Sequence, residues 1–386
     1  MFPTAHGCGA QADQREVDAH PDATGAAYRH RVTEAWDLLV STDDIATTEL
    51  RAGERPEPGE GEVVLALSRV GLTANNVTYA VLGQTLRYWQ FFPAPQAWGR
   101  VPLWGFADVV ASRAQGVEVG QRYYGFLPTS SHLVVRPDRV GAHGFRDVTA
   151  HRRELPAVYN AYALTTGDHS YEADLEDVQV LFRPLFITSF ALAADLAEGG
   201  ARGAGTVVLS SASSKTAYGT AALLQGGAAR VVGLTSAGNR AFVASLGCYD
   251  EVLTYDEVDR LPREPTAYVD AAGNQRLRER LHDHLRDHLV LDLVLGVTHQ
   301  DTGRAQLTSG ARPTQFFAPD VIGDRIAEWG RAGFEQRLAT AWAGFVPRAQ
   351  QWVDVVVGHG PQELAQVWAE VVAGAAAPRT GNVLSF

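Results

Sequence analysis

The stretch TVVLSSASSKTAY, residues 206–218, decides how this chain is read. Residues 206–209 form a short apolar run of the kind that makes a buried parallel strand. The run stops at Ser210, Ser211, Ser213 and Ser214, and after Lys215 and Thr216 a helical pattern runs through Ala221, Leu223 and Leu224. Strand, tight small-residue turn and helix start together make an anion site. The first N–H groups of a helix lack intrahelical partners, its dipole is positive there, and small side chains let a phosphate approach. A plainer reading also fits, with Ser214 or Thr216 as N-cap and Lys215 in solvent.

A second strand, 231–235, follows at β-α-β spacing and ends in Ser236, Ala237, Gly238, Asn239 and Arg240. In a dinucleotide fold the adenosine ribose lies at the end of this strand, where NAD sites carry Asp or Glu. None stands here. Ser236, Asn239 and Arg240 suit a 2′-phosphate through hydrogen bonds and charge, so NADP(H) is the expected cofactor, with Ser213, Ser214, Lys215 and Thr216 at its phosphates. The G-x-G-x-x-G fingerprint is absent, so the assignment rests on the turn and the strand end together.

Composition narrows the alternatives. The 386 residues suggest two domains, and a net charge of −11 without a basic block argues against nucleic acid or an anionic membrane as partner. No apolar run reaches a transmembrane length, and the N-terminus lacks the basic-then-apolar order of a secretory signal. Two cysteines, Cys8 and Cys248, build neither a zinc ribbon nor a disulfide framework, so a reduced cytoplasmic setting is expected and Cys248 reads as a small buried residue.

Along the chain, residues 1–31 read as a mobile extension. Strands are expected at 36–40, 62–70, 107–111, 116–120, 122–126 and His132–Val135, a spacing that suggests a small antiparallel barrel. Residues 71–76, GLTANN, read as a loop. Tyr79, Tyr88, Trp89, Phe91, Phe92 and Trp98 form an aromatic cluster, either a core or one wall of an apolar substrate pocket. Residues 141–180 interrupt the strands and read as a lid or an inserted helical segment. After a helix at 184–196, strands Thr206–Leu209, 231–235, Glu251–Thr254, 267–269 and Leu289–Leu295 alternate with helices 216–225, 239–246 and 274–288, the signature of a parallel sheet covered by helices. A last helix is expected at 361–372. The histidines His282, His284 and His288 read as a solvated, charged helix face.

The order of these parts resembles the medium-chain dehydrogenase/reductase superfamily. EGEVVLALSRVGLTANNVTYAVLG resembles its opening strand and loop, and GVEVGQRYYGF its barrel strand. PLFITSFALAADL resembles its Leu-Thr-Ala-Tyr helix, and LTSAGNRAFVASLGCYDEVLTYDE its NADP-type second strand. LTANN, SSASSKTA and LGCYDEVLTYD are also similar to a bacterial branch known only as a domain of unknown function. The resemblance implies a GroES-like antiparallel β-barrel domain (32–180, with an insertion at about 141–180), a Rossmann-type doubly wound parallel sheet binding NADP (181–310) and a C-terminal return to the first domain (311–386). It places Thr188 near the nicotinamide and Tyr255 beside the cofactor. Trp104 and Gly105 stand where zinc-dependent members have His and Glu, and the zinc cysteines have no counterparts, which implies zinc-free hydride transfer as in quinone and enoyl reductases.

Reduction needs a group to hydrogen-bond or protonate the developing oxyanion. By resemblance that group follows the opening-strand loop, making Tyr79 the expected donor and Asn76 a hydrogen-bonding partner, with Tyr159 and Asn160 in reserve. Gly296, Thr298 and His299, after the last strong strand, are expected at the nicotinamide. The expected substrate is a conjugated enone, an enoyl ester or thioester, or a quinone. The alternatives are keto reduction and a non-catalytic NADPH-binding sensor. A hydrolase using Ser213 or Ser214 with His299 lacks the strained G-x-S-x-G turn. A homodimer is expected by analogy.

Overall fold

The structure, a computed structural model, describes residues 34–295 and 309–386. The first half holds strands β1 (Glu34–Ser41), β2 (Thr48–Glu54), β3 (Val63–Leu72), β4 (Trp98–Gly99), β5 (Leu103–Ser112), β6 (Arg122–Leu127), β7 (His132–Val135), β8 (Pro137–Gly141), β9 (Gly144–Asp147) and β10 (Ala161–Leu164), with helix α1 (Ala74–Val81) after β3. Helix α2 (Glu176–Asp195) leads to β11 (Thr206–Leu209), β12 (Arg230–Thr235), β13 (Glu251–Thr254), β14 (Thr266–Asp270) and β15 (Leu289–Leu295), interleaved with α3 (Lys215–Leu224), α4 (Arg240–Ser245) and α5 (Gln275–Leu285). The chain ends with β16 (Pro313–Phe316), α6 (Ala318–Trp329), α7 (Arg331–Trp352), β17 (Asp354–His359), α8 (Gly360–Val372) and β18 (Thr380–Ser385).

The later strands form a parallel sheet in the order β13-β12-β11-β14-β15-β16. This is the Rossmann order 3-2-1-4-5-6, with its switch point between β11 and β14. All four residues of β11 are buried, which is why it reads as an unbroken apolar run. The other large sheet is antiparallel around β3, which pairs with β5, β7 and β18. The C-terminus therefore returns to the first sheet, with Leu384 opposite Val70. Trp368 of α8 is fully buried there, its indole donating to Ile45 O at 2.8 Å.

Helix α2 joins the two halves. It packs on β3 so closely that a Cβ at Gly71 would lie 2.5 Å from Val180 O, so only glycine permits the crossing. Residues Ala173–Gly199 are long and apolar enough to cross a membrane, contrary to the sequence reading, but 56% of the most apolar window is buried inside the fold. Burial between the antiparallel sheet and helices α3, α6 and α7 explains an apolar helix without a bilayer.

Several other expectations are corrected. The 71–76 loop gives way to α1, because the Thr73 side chain caps its first turn while Asn76 reaches back to Thr73 N, a capping box. Residues 116–120 are turns and not a strand, with Gly116 at φ +80° and Gly120 at φ +90°. The 141–180 stretch is not helical throughout: short 3-10 helices at Ala150–Arg152, Ala157–Asn160, Thr165–Gly167 and Ala173–Leu175 lie among strands, and α2 begins at Glu176. The stretch carries β9 and β10, and β10 extends the sheet by pairing with β6. A buried ion pair, Arg152 to Asp147 at 2.9 Å, holds this extension together, and Asn160 is consumed by it, bonded to both Arg152 Nε and Arg152 O. His282 is 2% exposed and not solvated. The expected extension 1–31 and the candidates Gly296, Thr298 and His299 lie outside the described residues.

Candidate functional site

At the switch point, β11 is followed by Ser210, whose hydroxyl donates to Asp270 Oδ1 at the end of β14 (3.0 Å) and accepts from Ala271 N and Ala272 N. Asp270 also accepts from Gly273 N and pairs with Arg278 at 2.7 Å. Arg278 in turn contacts Asp292, which pairs with His282 at 2.9 Å. This buried network ties the end of β11 to β14, β15 and α5. Burial lowers the pKa of His282, but its bonds to Asp292 and Ser309 O outweigh that and hold it above its ordinary value.

The turn itself is drawn tight by Ser211, which adopts φ +49°. Ser214 is the N-cap of α3, its Oγ accepting from Ala217 N at 3.3 Å. The N–H groups of Lys215 and Thr216 have no partner among the described residues, so both remain for a ligand. Ser213 Oγ accepts from Asn239 Nδ2 at 3.1 Å, joining this turn to the one after β12. The Tyr255 phenol reaches the backbone of Ser211. Thr216 O accepts from Ser189 of α2 at 2.9 Å, while the adjacent Thr188 hydroxyl has no partner among the described residues.

Lys215 is not in solvent. It is half-buried, its Nζ lies 5.7 Å from the centroid of the Phe182 ring, and it has no carboxylate partner among the described residues. Burial lowers its pKa from 10.5 to about 8. A desolvated cation without a counter-charge, at the positive end of a helix, is unfavourable on both counts. It is also the only lysine among the 33 lysine and arginine residues of the chain, a compositional signal that motif reading passes over.

After β12 come Ser236 and Arg240, the residues expected at the 2′-phosphate. Arg240 pairs with Glu257 at 3.0 Å, a carboxylate that the sequence reading did not place there. The Thr254 backbone N–H, followed by Arg260 and Arg240, lowers the pKa of Glu257 to about 2.

Across α2 from the turn lies the aromatic cluster. Trp104 stacks on Tyr124 (5.7 Å, 18°), and its indole donates to Tyr79 Oη at 3.2 Å. Tyr79 packs on Tyr88 and Phe126, and Tyr88 Oη meets Tyr159 Oη at 3.2 Å. Burial, then the neighbouring Tyr88, raises the pKa of Tyr79, so it is a neutral donor at any ordinary pH. Asn76 is spent on structure: Oδ1 serves the cap, and Nδ2 donates to Pro102 O at 2.9 Å. Trp89 packs so tightly against Gly83 and Gly99 that a Cβ at either would come within 2.3 Å of it, a core contact and no pocket wall. Beside Phe91 and Phe92 a separate cavity of about 300 Å³ is lined by Trp36, Asp37, Arg100, His132 and His151, without any residue of the serine turn after β11.

Residues that motif reading missed sit between the two regions. Arg183 of α2 lies 4.6 Å over the Tyr124 ring and pairs with Asp168 at 2.5 Å. A lone charge in the apolar run 178–193 was the available signal. Among the described residues no three His, Cys, Asp or Glu side chains are placed to hold a metal ion. Cys248 is buried, which raises its pKa to about 12.

Residues 70–377 match the family described as protein of unknown function (DUF2855). The chain belongs to the DUF2855 family. No curated protein matches the sequence. Among solved structures, this DUF2855 chain is similar to CurA from Vibrio vulnificus in complex with NADPH (TM-score 0.61, 11% identity, 91% of this chain and 98% of that one). It is also similar to the quinone oxidoreductase from Coxiella burnetii (0.54, 13%, 92% and 99%) and to the yhdH oxidoreductase from Salmonella enterica in complex with NADP (0.52, 14%, 92% and 99%). At these identities the likeness is one of fold, a GroES-like antiparallel domain joined to a Rossmann-type parallel sheet.

Proposed function

We propose that this chain is an NADPH-dependent reductase of a conjugated carbonyl compound: an enone, an enoyl ester or thioester, or a quinone. The observation that carries the reading is Lys215. A chain that otherwise uses only arginine keeps one lysine, desolvated and uncompensated, at a capped helix N-terminus on the Rossmann switch point. An anionic phosphate removes both penalties at once. The free N–H groups of Lys215 and Thr216 and the serine turn would hold the diphosphate. Ser236 and Arg240 would take the 2′-phosphate, Arg240 exchanging Glu257 for it. Bound there, the cofactor would supply hydride, and the similar structures solved with NADPH and NADP support that choice.

The chain's own groups do the rest. The aromatic cluster beyond α2 gives an apolar wall, Tyr79 and its neighbours stay protonated, and the position compared with zinc ligands holds Trp104 stacked on Tyr124 and a glycine. Gly105 admits no side chain, since a Cβ there would lie 2.2 Å from Arg69 O. The reading is therefore of hydride transfer without a metal at that position. The test is NADPH oxidation across a panel of enones, enoyl thioesters, quinones and saturated ketones. Turnover of conjugated acceptors is expected. Turnover of saturated ketones alone would move the assignment to carbonyl reduction, and NADPH binding without turnover of any acceptor would make the chain a sensor.

A further inference from the structure

Two buried polar atoms beside the aromatic cluster have no hydrogen-bond partner among the described residues: Tyr124 Oη and Arg183 Nη1. Tyr124 is 6% exposed, so water does not compensate its hydroxyl freely. Arg183 Cζ lies 4.6 Å from the Tyr124 ring centroid, and Oη is on the rim of that ring. Both unpartnered donors therefore belong to one contact, the Arg183 guanidinium over the ring face and the Tyr124 hydroxyl at its edge. Arg183 is held in place from the other side by Asp168, delivered by the stretch after β10. The half-buried face of Trp104, stacked on Tyr124, flanks the pair. The link to the dinucleotide turn is short: Phe182, the residue before Arg183, carries Lys215 over its ring.

We propose that Tyr124 and Arg183 are the donor pair for the carbonyl oxygen of the acceptor, whose flat conjugated body lies against Trp104. The proposal rests on the reductase reading and deepens it. Hydride addition to a conjugated carbonyl moves the displaced electron pair onto that oxygen, and a solvent proton then completes the product. Two donors aimed at the oxygen strengthen as the charge grows. Tyr79 is the poorer candidate, because its oxygen already accepts from Trp104. The favoured acceptor is planar and carries an aromatic ring next to the enone, which matches the ring surface of Trp104, Tyr88 and Tyr159.

The test uses the whole chain loaded with NADP+, which cannot give hydride, and 4-phenylbut-3-en-2-one as probe, read by quenching of tryptophan fluorescence. NADP+ binding is first measured for every variant by calorimetry. The expected result is probe binding to the wild-type complex, weakened about tenfold or more in Tyr124→Phe and in Arg183→Gln, with NADP+ affinity unchanged within about twofold. Arg183→Lys should recover part of the loss. With NADPH, Tyr124→Phe should lower kcat more than it raises KM, since the bond is strongest as charge develops. Its melting temperature should not fall, because only an unpartnered hydroxyl is removed. Equal probe binding by wild type and Tyr124→Phe overturns the donor pair and leaves the cofactor reading intact. So does NADP+ binding with no probe binding at all. Failure of wild type to bind NADP+ overturns both.

Discussion

Replacing Lys215 by methionine should stabilise the protein and cripple its cofactor site in the same stroke. Burial takes the lysine from 10.5 to about 8, which corresponds to about 3 kcal/mol if fully expressed in folding. The side chain is half-buried, so solvent screening reduces this to about 1–3 kcal/mol. Its place at N1 of α3, against the helix dipole, adds about 0.3–1 kcal/mol. The sign follows from linkage: below the folded value of about 8 both states hold the proton and the folded state bears the penalty, and the penalty fades between about 8 and 10.5 as the folded state alone loses its proton. Lys215→Met should therefore raise the apo melting temperature at pH 7 by about 2–8 °C, with the gap closing toward pH 10. It should also weaken NADPH binding by about 10–100-fold, the worth of one charge-assisted hydrogen bond. Thermal scans across pH, paired with calorimetric NADPH titrations, read both effects. A variant that is less stable than wild type at pH 7 and binds NADPH equally well would refute the reasoning.

Other substitutions separate the remaining roles. Arg240→Glu should cut NADPH affinity at least tenfold while leaving NADH affinity within about threefold, measured by parallel titration. Asn76→Ala should cost about 1–2 kcal/mol by urea unfolding through loss of the capping box, with kcat of the folded enzyme unchanged, as its amide is occupied by Thr73 N and Pro102 O. His282 has its pKa raised in the fold, so its stabilisation is complete below about 6.5 and is lost as pH rises through the higher folded value. Urea midpoints of wild type and His282→Gln should accordingly converge above neutral pH and diverge below it.

The parallel sheet was the most legible part of this chain. β11 falls where its apolar run puts it, because a strand buried on both faces needs an unbroken apolar stretch, and β13 and β15 also fall where they were read although Glu251 and Asp292 interrupt their apolar residues. Residues whose role depends on a partner were harder. Thr73 and Asn76 belong to residue types that favour loops, yet together they start a helix, and the pairing shows only in three dimensions. The 141–180 stretch carries its strands in mixed, charged sequence, because Arg152 and Asp147 satisfy each other inside. At the site, the serine turn and Arg240 were legible from order and spacing. The state of Lys215, the Glu257 partner of Arg240 and the meeting of Tyr124 with Arg183 were not, since each depends on contacts between segments far apart in the chain.

The most direct measurement is a calorimetric titration of the purified wild-type chain with NADPH and, separately, NADH at pH 7. Micromolar NADPH binding at least tenfold tighter than NADH, weakening as the pH is raised beyond 8, is the result predicted from Lys215 and Arg240. Binding of neither nucleotide would contradict the account, because the uncompensated lysine at the switch point would then have to serve some other anion.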